Sequence, residues 1–540
     1  MHRNKSVSVH QFAMVPKSDV PRSSFRRETG HKTTVDAGYL IPYFVDEVLP
    51  GDTFKLRSTI FGRIATPIYP IMDNLYLDTH FFFVPFRLVW DHWVNFMGER
   101  RDPDDSIDYL IPQCPTPPGG FAVNSLQDYM GLPTVGQIGG SAVVNYNTLY
   151  QRGYNLIYND WFRDQNFQDS VVVDRDDGPD LPTDYTLLRR GKRHDYFTSC
   201  LPSPQKGDPV TLPLGTTAPV MGIGVTNNTG SSNQANIIQS DGSVVTKSGV
   251  ATGASVSVFN TTGTNVPFTA ANPPAIYADL SQATAATVNS LRLSFQIQKL
   301  LWRDGVGGTR YTELLRAHFG VTPQDARLQR PEYLGGGTTP ININPIAQTS
   351  GTTISGSDSP LGNLGAMGTI LANNHGFTQS FSEHGMVIGI LSIRADLNYQ
   401  QGLRRMYSSR TRYDFFWPEF SMLGEQAVLN KEIRVTGTTA DDNVFGYNER
   451  WSHYKYIPPQ ITGYMKSTSA TPLDAWHLAQ TFDNTPTLNA EFIVEDPPMD
   501  RVVAVTAEAN GKQFIIDSIT TIDTARAMPL YSVPGLIDHF

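Results

Sequence analysis

Period-two alternation of apolar side chains is the strongest constraint this sequence places on its fold. In DTFKLRSTIF (Asp52–Phe61), Phe54, Leu56, Ser58 and Ile60 fall on one side. In NLYLDTHFFFVP (Asn74–Pro85), Leu75, Leu77, Thr79, Phe81 and Phe83 do the same before Pro85 ends the run. Successive side chains of a strand point to opposite faces, so both stretches predict half-buried strands. GMVIGILSI (Gly385–Ile393) is apolar almost throughout, which predicts a strand buried on both faces, and it is too short to span a bilayer. In RVVAVTAEANGKQFIIDSITT (Arg501–Thr521), Asn510-Gly511 between two β-rich runs carries the signature of a type I′ hairpin.

Helical periodicity is sparse. Phe86–Glu99, Tyr154–Asp164 and Thr309–Gly320 each repeat apolar residues on one face, and Ser290–Trp302 fits both periods, with its length favouring helix. Only 17% of residues are charged, against roughly 25% in an average soluble domain, while glycine (45) and proline (37) are plentiful. Such a chain favours strands joined by long ordered loops, so a mainly β fold is expected: a sandwich or jelly roll with long loop insertions and a few short helices.

Charge is unevenly distributed. Residues 1–32 hold seven Lys or Arg against Asp19 and Glu28, leaving the rest of a chain of net charge −9 strongly acidic. A basic arm on an acidic body suits a protein that presents one side to a polyanion. From Met221 to Ser290 only Asp241, Lys247 and Asp279 are charged, in a field of Thr, Ser, Gly, Asn, Ala and Val that reads as a β-rich excursion. The N-terminus has no uninterrupted apolar core of signal-peptide length, so use without export is expected. Cys114 and Cys200 could form one bridge at most, and nothing in the sequence pairs them.

Catalytic signatures are missing: there is no His-Glu-x-x-His, Cys-x-x-Cys or Gly-x-Ser-x-Gly. RRGKRHDYFTSCLPSPQKG (Arg189–Gly207) contains Gly191-Lys192, but Arg193 stands where a phosphate loop needs Ser or Thr. Acidic clusters at Arg100–Asp108 and Asp174–Asp180 offer oxygen ligands for calcium without matching the loop spacing of a calcium-binding motif. The stronger candidates mix cations with rings. GLRRMYSSRTRYDFFWPEF (Gly402–Phe420) and the Arg189 segment could bind single-stranded nucleic acid, where cations neutralise phosphates and rings stack on bases, or could form a protein interface, where arginine and aromatics are also enriched. Candidate nucleic-acid contacts are Arg3, Lys5, Arg22, Arg26, Arg27, Arg189, Arg190, Lys192, Arg193, Arg404 and Arg405.

Several longer stretches carry a resemblance. LPGDTF, MDNLYLDTHFFFVPFRLVWDHW, YNLIYNDWFRDQN, LRRGKRHDYFTSCLPSPQKG, GGTRYTELLRAHFGVTPQDARLQRPEYLGG, GEQAVLNKEI, TPLDAWHLAQTFDNTPTLN and MPLYSVPGLIDHF together resemble the major capsid proteins of gokushoviruses, small single-stranded DNA bacteriophages of the microvirus family. The resemblance runs from about Val35 to Phe540 and spares only the loop between Pro213 and Ser290. It implies an eight-stranded antiparallel jelly roll, sixty copies of which close a T=1 shell around a circular single-stranded DNA genome. It also implies a three-fold protrusion that meets a bacterial host receptor, built from the low-charge insertion; Asn227, Asn228, Thr229, Asn233, Asp241 and Lys247 are its candidate contacts. The partners it implies are a DNA pilot protein, an internal scaffolding protein and a small basic DNA-packaging protein. Arg404 departs from the family pattern, in which proline is expected at that place.

The expected organisation is therefore a basic arm (1–34), a first part of the jelly roll with helical insertions (35–212), a protruding insertion (213–290) and the remainder of the jelly roll (291–540). Two other classes fit the composition: a secreted carbohydrate-binding or carbohydrate-cleaving β-sandwich, and a phage adhesin or spike. The absent signal peptide counts against the first and the absence of repeats against the second.

Overall fold

The computed structural model describes residues 21–208 except 101, then 288–307, 329–347, 364–504 and 512–531, with a few short pieces between 220 and 349. Two compact units emerge, one formed by residues 1–204 and 309–540, the other by residues 205–308.

Among the described residues nine strands build the two large sheets of the first unit: β1 (Arg22–Val35), β2 (Ile41–Val48), β3 (Thr53–Ile64), β4 (Leu75–Pro85), β5 (Glu332–Pro340), β6 (Asn342–Ala347), β7 (Leu364–Ser380), β8 (Gly385–Ala395) and β9 (Phe514–Ala527). They form a five-stranded sheet in the order β1-β9-β3-β7-β6 and a four-stranded sheet in the order β5-β4-β8-β2, antiparallel throughout. From β1 to β4 the chain switches sheets at every connection, and from β7 to β9 it does so again. That is the jelly-roll winding, with β6 as a ninth strand at one edge.

Burial along the strands explains which side of each sheet meets the other. In β3 every second residue from Phe54 to Ile64 is buried and every residue between is exposed. Phe54, Leu56 and Ile60 therefore pack with Phe81, Phe83, Val387 and Leu391 of the opposite sheet into one core. Rings interlock across it, Phe54 against Phe381 at 5.4 Å and Phe81 against Phe377 at 5.4 Å. β8 is different, as its unbroken apolar sequence predicts: it is buried on both faces except at Arg394. Its second face, with Phe82 and Val84 of β4, is covered by helix α1 (Leu149–Ile157), by Phe86–Trp93 and by Tyr185. Gly153 lets α1 lie close, since a Cβ there would come within 2.6 Å of the Met386 sulfur.

The two long insertions fall between β4 and β5 and between β8 and β9. The first contains the second unit, whose described parts are short antiparallel strand pairs and the helix α2 (Val288–Gly307). This unit is longer at both ends than the 213–290 insertion expected from composition, and it takes in the helix expected at Ser290–Trp302.

Four local expectations need correction or relocation. Residues 1–34 are not an arm throughout, because from Arg22 onward the chain is edge strand β1, paired with β9 along its full length. Phe86–Glu99 is not one helix but a 3-10 turn (Phe86–Leu88) and a single helical turn (Trp93–Phe96). The Val89 carbonyl between them accepts from Arg152 Nη1 at 3.1 Å, and the Trp90 indole donates to Asp177 at 2.8 Å, so tertiary partners displace the helical ladder. The helix expected from Tyr154 to Asp164 begins earlier, at Leu149, where the buried Gln151 and Arg152 mask the apolar stripe; it is α-helical to Ile157 and continues as a π-helical turn over Tyr158–Phe162, close to the expected end. Arg501–Val503 is not a hairpin strand, since Met499–Arg501 forms a 3-10 turn and both following valines donate to the Met499 carbonyl. The Asn510-Gly511 turn and most of Thr309–Gly320 lie outside the described residues.

α1 is anchored by a fully buried charge. The Arg152 guanidinium donates to Asp180 through Nε at 2.8 Å and through Nη2, while Tyr185 donates its hydroxyl to the same carboxylate. Burial alone would raise the Asp180 pKa, but the hydrogen bonds from Arg152 and Tyr185 outweigh it and hold the carboxyl below its ordinary range. Asp180→Ala, which leaves the buried Arg152 with only the exposed Asp176 carboxylate at 3.5 Å as a charged partner, is expected to destabilise the fold by about 3 kcal/mol in urea denaturation at neutral pH. Because the folded pKa is depressed, the carboxylate's contribution is complete above about pH 4 and is lost as pH falls below it. The variant's deficit should accordingly shrink in acid.

Candidate nucleic-acid and subunit interfaces

The Arg189 segment is stitched into the fold by its backbone. Arg190 donates to the Gly38 carbonyl at 2.8 Å, Lys192 to Ile493 at 2.7 Å, and Glu495 returns a bond to Arg190 at 2.9 Å. Gly38 has φ +85°, and a Cβ there would meet the Glu495 carbonyl oxygen at 2.2 Å, so only glycine permits this crossing. The side chains contact the fold as well, although Arg193 remains 72% exposed. Arg190 pairs with Asp78 of β4 at 2.8 Å, Arg189 lies over the Tyr39 ring at 4.4 Å beside Asp496, and Arg193 reaches Asp396 at 3.7 Å. Tyr196, Phe197 and Cys200 enter a separate small core with Tyr399, Ile433 and Phe492. Cys114 lies in another cluster with Phe121 and Tyr146, and both thiols are free.

Lys192 is buried against the Phe492 ring at 4.2 Å and donates to Gln480 at 2.9 Å. Burial lowers its pKa to about 8. Glu495, also buried, has its pKa raised by that burial to about 7, against weaker lowering by the Ala395 amide and nearby cations.

Gly402–Phe420 behaves otherwise. Arg405 is fixed by Glu432 at 2.8 Å and by the Ala427 carbonyl at 2.8 Å. Arg404 has φ −58°, a value proline itself adopts, so the departure from the family pattern leaves the backbone compatible. Beyond these, the rings face solvent: Tyr407 is 63% exposed, Phe415 56% and Trp417 46%, with Met422 at 93%. The segment is nonetheless held in shape. Asp414 accepts from the Arg410 and Thr411 amides at 2.9 and 2.7 Å, and the Trp417 indole donates to the Arg412 carbonyl at 2.8 Å. Phe416 meets Trp451 edge-on at 5.6 Å. Rigid, exposed aromatics next to Arg410 and Arg412 make an unusually sticky surface for a soluble chain.

The remaining candidates divide. Arg27 turns toward Asp46 with two hydrogen bonds, of 3.1 and 2.6 Å. Arg22 and Arg26 lie on the outer face of the five-stranded sheet, Arg26 paired with Glu28 at 3.0 Å and Arg22 donating to the Gly51 carbonyl at 2.7 Å. The same face carries Lys55, Arg57 and Arg63, which the list of candidates omits. The signal was in DTFKLRSTIFGR: the cations occupy the positions that alternate with Phe54, Leu56 and Ile60. Arg3, Lys5, Asn228, Thr229, Asn233, Asp241 and Lys247 lie outside the described residues, as does the side chain of Asn227, in the short strand Gly224–Asn227.

The carboxylates proposed for calcium have protein partners at one of the two clusters: Asp180 binds Arg152, and Asp177 binds Trp90 and His92. Among the described residues no group of three or more His, Cys, Asp or Glu is arranged to hold a metal ion.

Comparison with known proteins gives a consistent result. A family model described as "Capsid protein (F protein)" matches residues 13–536. "Capsid protein VP1" of Bdellovibrio phage phiMH2K is 45% identical over 540 residues, covering 98% of both chains. The proteins of the same description from Chlamydia phage 1 and Spiroplasma virus 4 are 40% and 35% identical, again over 98% of each chain.

Glu495 generates a test of the Arg189 stitch. Its folded pKa of about 7 lies above the ordinary 4.5, so it favours folding fully below about pH 4.5, and that contribution declines as pH rises to 7. Glu495→Gln keeps an acceptor for the Ala395 amide and cannot ionise. Thermal unfolding should therefore show the variant gaining on the wild type from pH 5 to pH 8, by about 3 kcal/mol at most; parallel pH profiles would contradict the assignment.

Proposed function

The chain belongs to the phage capsid protein (F protein) family, and from that membership we propose that it closes into a T=1 icosahedral shell around a single-stranded DNA genome. It is a structural protein of the virion rather than an enzyme, and it assembles with copies of itself. Family membership also sets aside the carbohydrate-active and adhesin readings.

One observation carries the assembly reading: the rigid, exposed aromatic segment from Tyr407 to Leu423. A lone soluble chain rarely leaves such a surface open, and ordering it in advance lowers the entropy cost of docking. We assign it to contact between neighbouring copies. The insertion 213–290, within the unit of residues 205–308, supplies the three-fold protrusion and the host-receptor contact in this reading, supported by its position between β4 and β5 and by the nearly uncharged, polar composition of Met221–Ser290. The DNA pilot, internal scaffolding and small basic packaging proteins complete the assembly in this reading; their support is the resemblance of the sequence.

Electron cryomicroscopy of the purified particles, with nuclease-protected nucleic acid measured in parallel, tests the shell and its content. Closed particles with T=1 symmetry and protected single-stranded DNA are expected; open trimers or a persistent monomer would refute the reading. Phe415→Ser/Trp417→Ser should leave the monomer folded by circular dichroism and raise the concentration needed for assembly about 30-fold or more, since aromatic anchors at interfaces are typically worth about 2 kcal/mol.

A further inference from the structure

The two sheets differ in what covers them. β8 is enclosed on both sides, whereas β3 alternates strictly, so the outer face of the five-stranded sheet is bare along its centre. Cross-strand register lines up what stands there. Lys32, Asp517, Phe61 and Leu371 form one row; Thr34, Ile515, Arg63 and Thr369 the next; Arg26, Asp523, Lys55 and Thr378 another. Arg57 and Glu28 lie on the row between, and Arg22 stands at the end of β1. Six cations face three carboxylates, Glu28, Asp517 and Asp523, which leaves this face at +3 on a chain of net charge −9.

From this face we infer a binding surface for the single-stranded DNA genome: Lys55, Arg57 and Arg63 contact phosphates, and Phe61 stacks on a base. The inference rests on the proposed genome-enclosing function and names the site for it. A groove of about 770 Å³ lies beside Phe61, lined by the cations Arg63 and Lys32 and also by the carboxylates Asp128 and Asp517. It thus sets an exposed ring between cations, the arrangement by which single strands are held without sequence preference. Along β3, Lys55 and Arg63 stand about 27 Å apart at the usual rise of a strand, room for several nucleotides. Among the described residues neither of the two has a carboxylate partner, and the pairs that do form on this face, Arg26 with Glu28 at 3.0 Å, Arg57 with Asp523 at 3.2 Å and Lys32 with Asp517 at 2.7 Å, are exposed. Exposed pairs are worth little, so phosphate competes with them readily. Cations and one ring position a backbone without reading bases, as a genome packaged whatever its sequence requires.

Binding of a fluorescent oligo(dT) 20-mer to the full-length unassembled chain, titrated with salt, tests the site. Lys55→Gln/Arg63→Gln should flatten the plot of log affinity against log salt by about 1.4, the loss of two phosphate contacts on a single strand. Phe61→Ala should weaken binding roughly tenfold and leave the slope unchanged. Nuclease-protected DNA per particle should fall in both variants, while Arg410→Gln/Arg412→Gln on the aromatic segment should keep wild-type oligonucleotide affinity. Unchanged affinity and slope in the sheet variants would overturn the site, as would a wild-type chain that ignores the oligonucleotide. Sheet variants that fail to close particles yet bind DNA like the wild type would give this face to a neighbouring copy and overturn it too. Wild-type particles that form without protected DNA would defeat the genome reading itself, an outcome separate from any difference between variants.

Discussion

Burial of the two central strands of the smaller sheet on both faces organises the rest of the molecule. β4 and β8 cannot meet water on either side, so one side takes the opposing sheet and the other must be roofed by chain from elsewhere. The β4–β5 insertion supplies that roof through α1 and its neighbours. A roof of irregular chain brings polar groups with it, and each has to be satisfied in place, which is why Arg152, Asp180 and Tyr185 form a closed buried network. Asp78 has the same role at the other end of β4. Its carboxylate accepts from Arg190, Arg394 and Thr338, all at 2.8 Å, tying three distant segments to one strand.

This economy of cations changes how the basic stretches are understood. Arg189, Arg190, Arg193 and Arg405 each meet a carboxylate of this chain, and Lys192 is buried under an aromatic ring. For Arg190 and Arg405 the partner carboxylate is buried, so withdrawing the cation would leave that charge uncompensated. Density of Lys and Arg along the sequence is thus a poor guide to phosphate contact. What matters is whether the same cation stands on a face with an acidic partner in reach, and that depends on strand register.

The jelly-roll strands were legible wherever one residue's burial is decided by its own face. The alternation in β3 and the unbroken apolar run in β8 needed no information from elsewhere in the chain. α2 was legible for the same reason, because its length exceeds that of an ordinary strand. The failures share a cause. Phe86–Glu99 has a helical stripe, yet Arg152, some sixty residues later, takes the carbonyl that would continue it. The pairing of Arg394 with Asp78 spans 316 residues, and no local pattern announces it. The sheet cations Lys55, Arg57 and Arg63 were legible in principle, since the period that places Phe54 and Leu56 inside places them outside.

The two outer faces give the first unit a polarity that follows from where the insertions attach. Both long insertions leave strands of the smaller sheet, β4 at Pro85 and β8 at Ala395 at opposite ends of that sheet, and the helical cover of the first lies on it. The larger sheet receives the second insertion at β9 and keeps an outer face that is cationic and uncovered along its centre. A shell built from such a unit gains from orienting the bare face toward a polyanion. Like-charged faces then surround a common counter-charge instead of repelling one another, and closure is favoured by the polymer as well as by contacts between copies. If the proposed contacts hold, the order of strength follows: the aromatic segment would hold neighbours together, while each sheet-to-phosphate contact could stay weak, because many copies would act on one continuous strand and their small contributions accumulate.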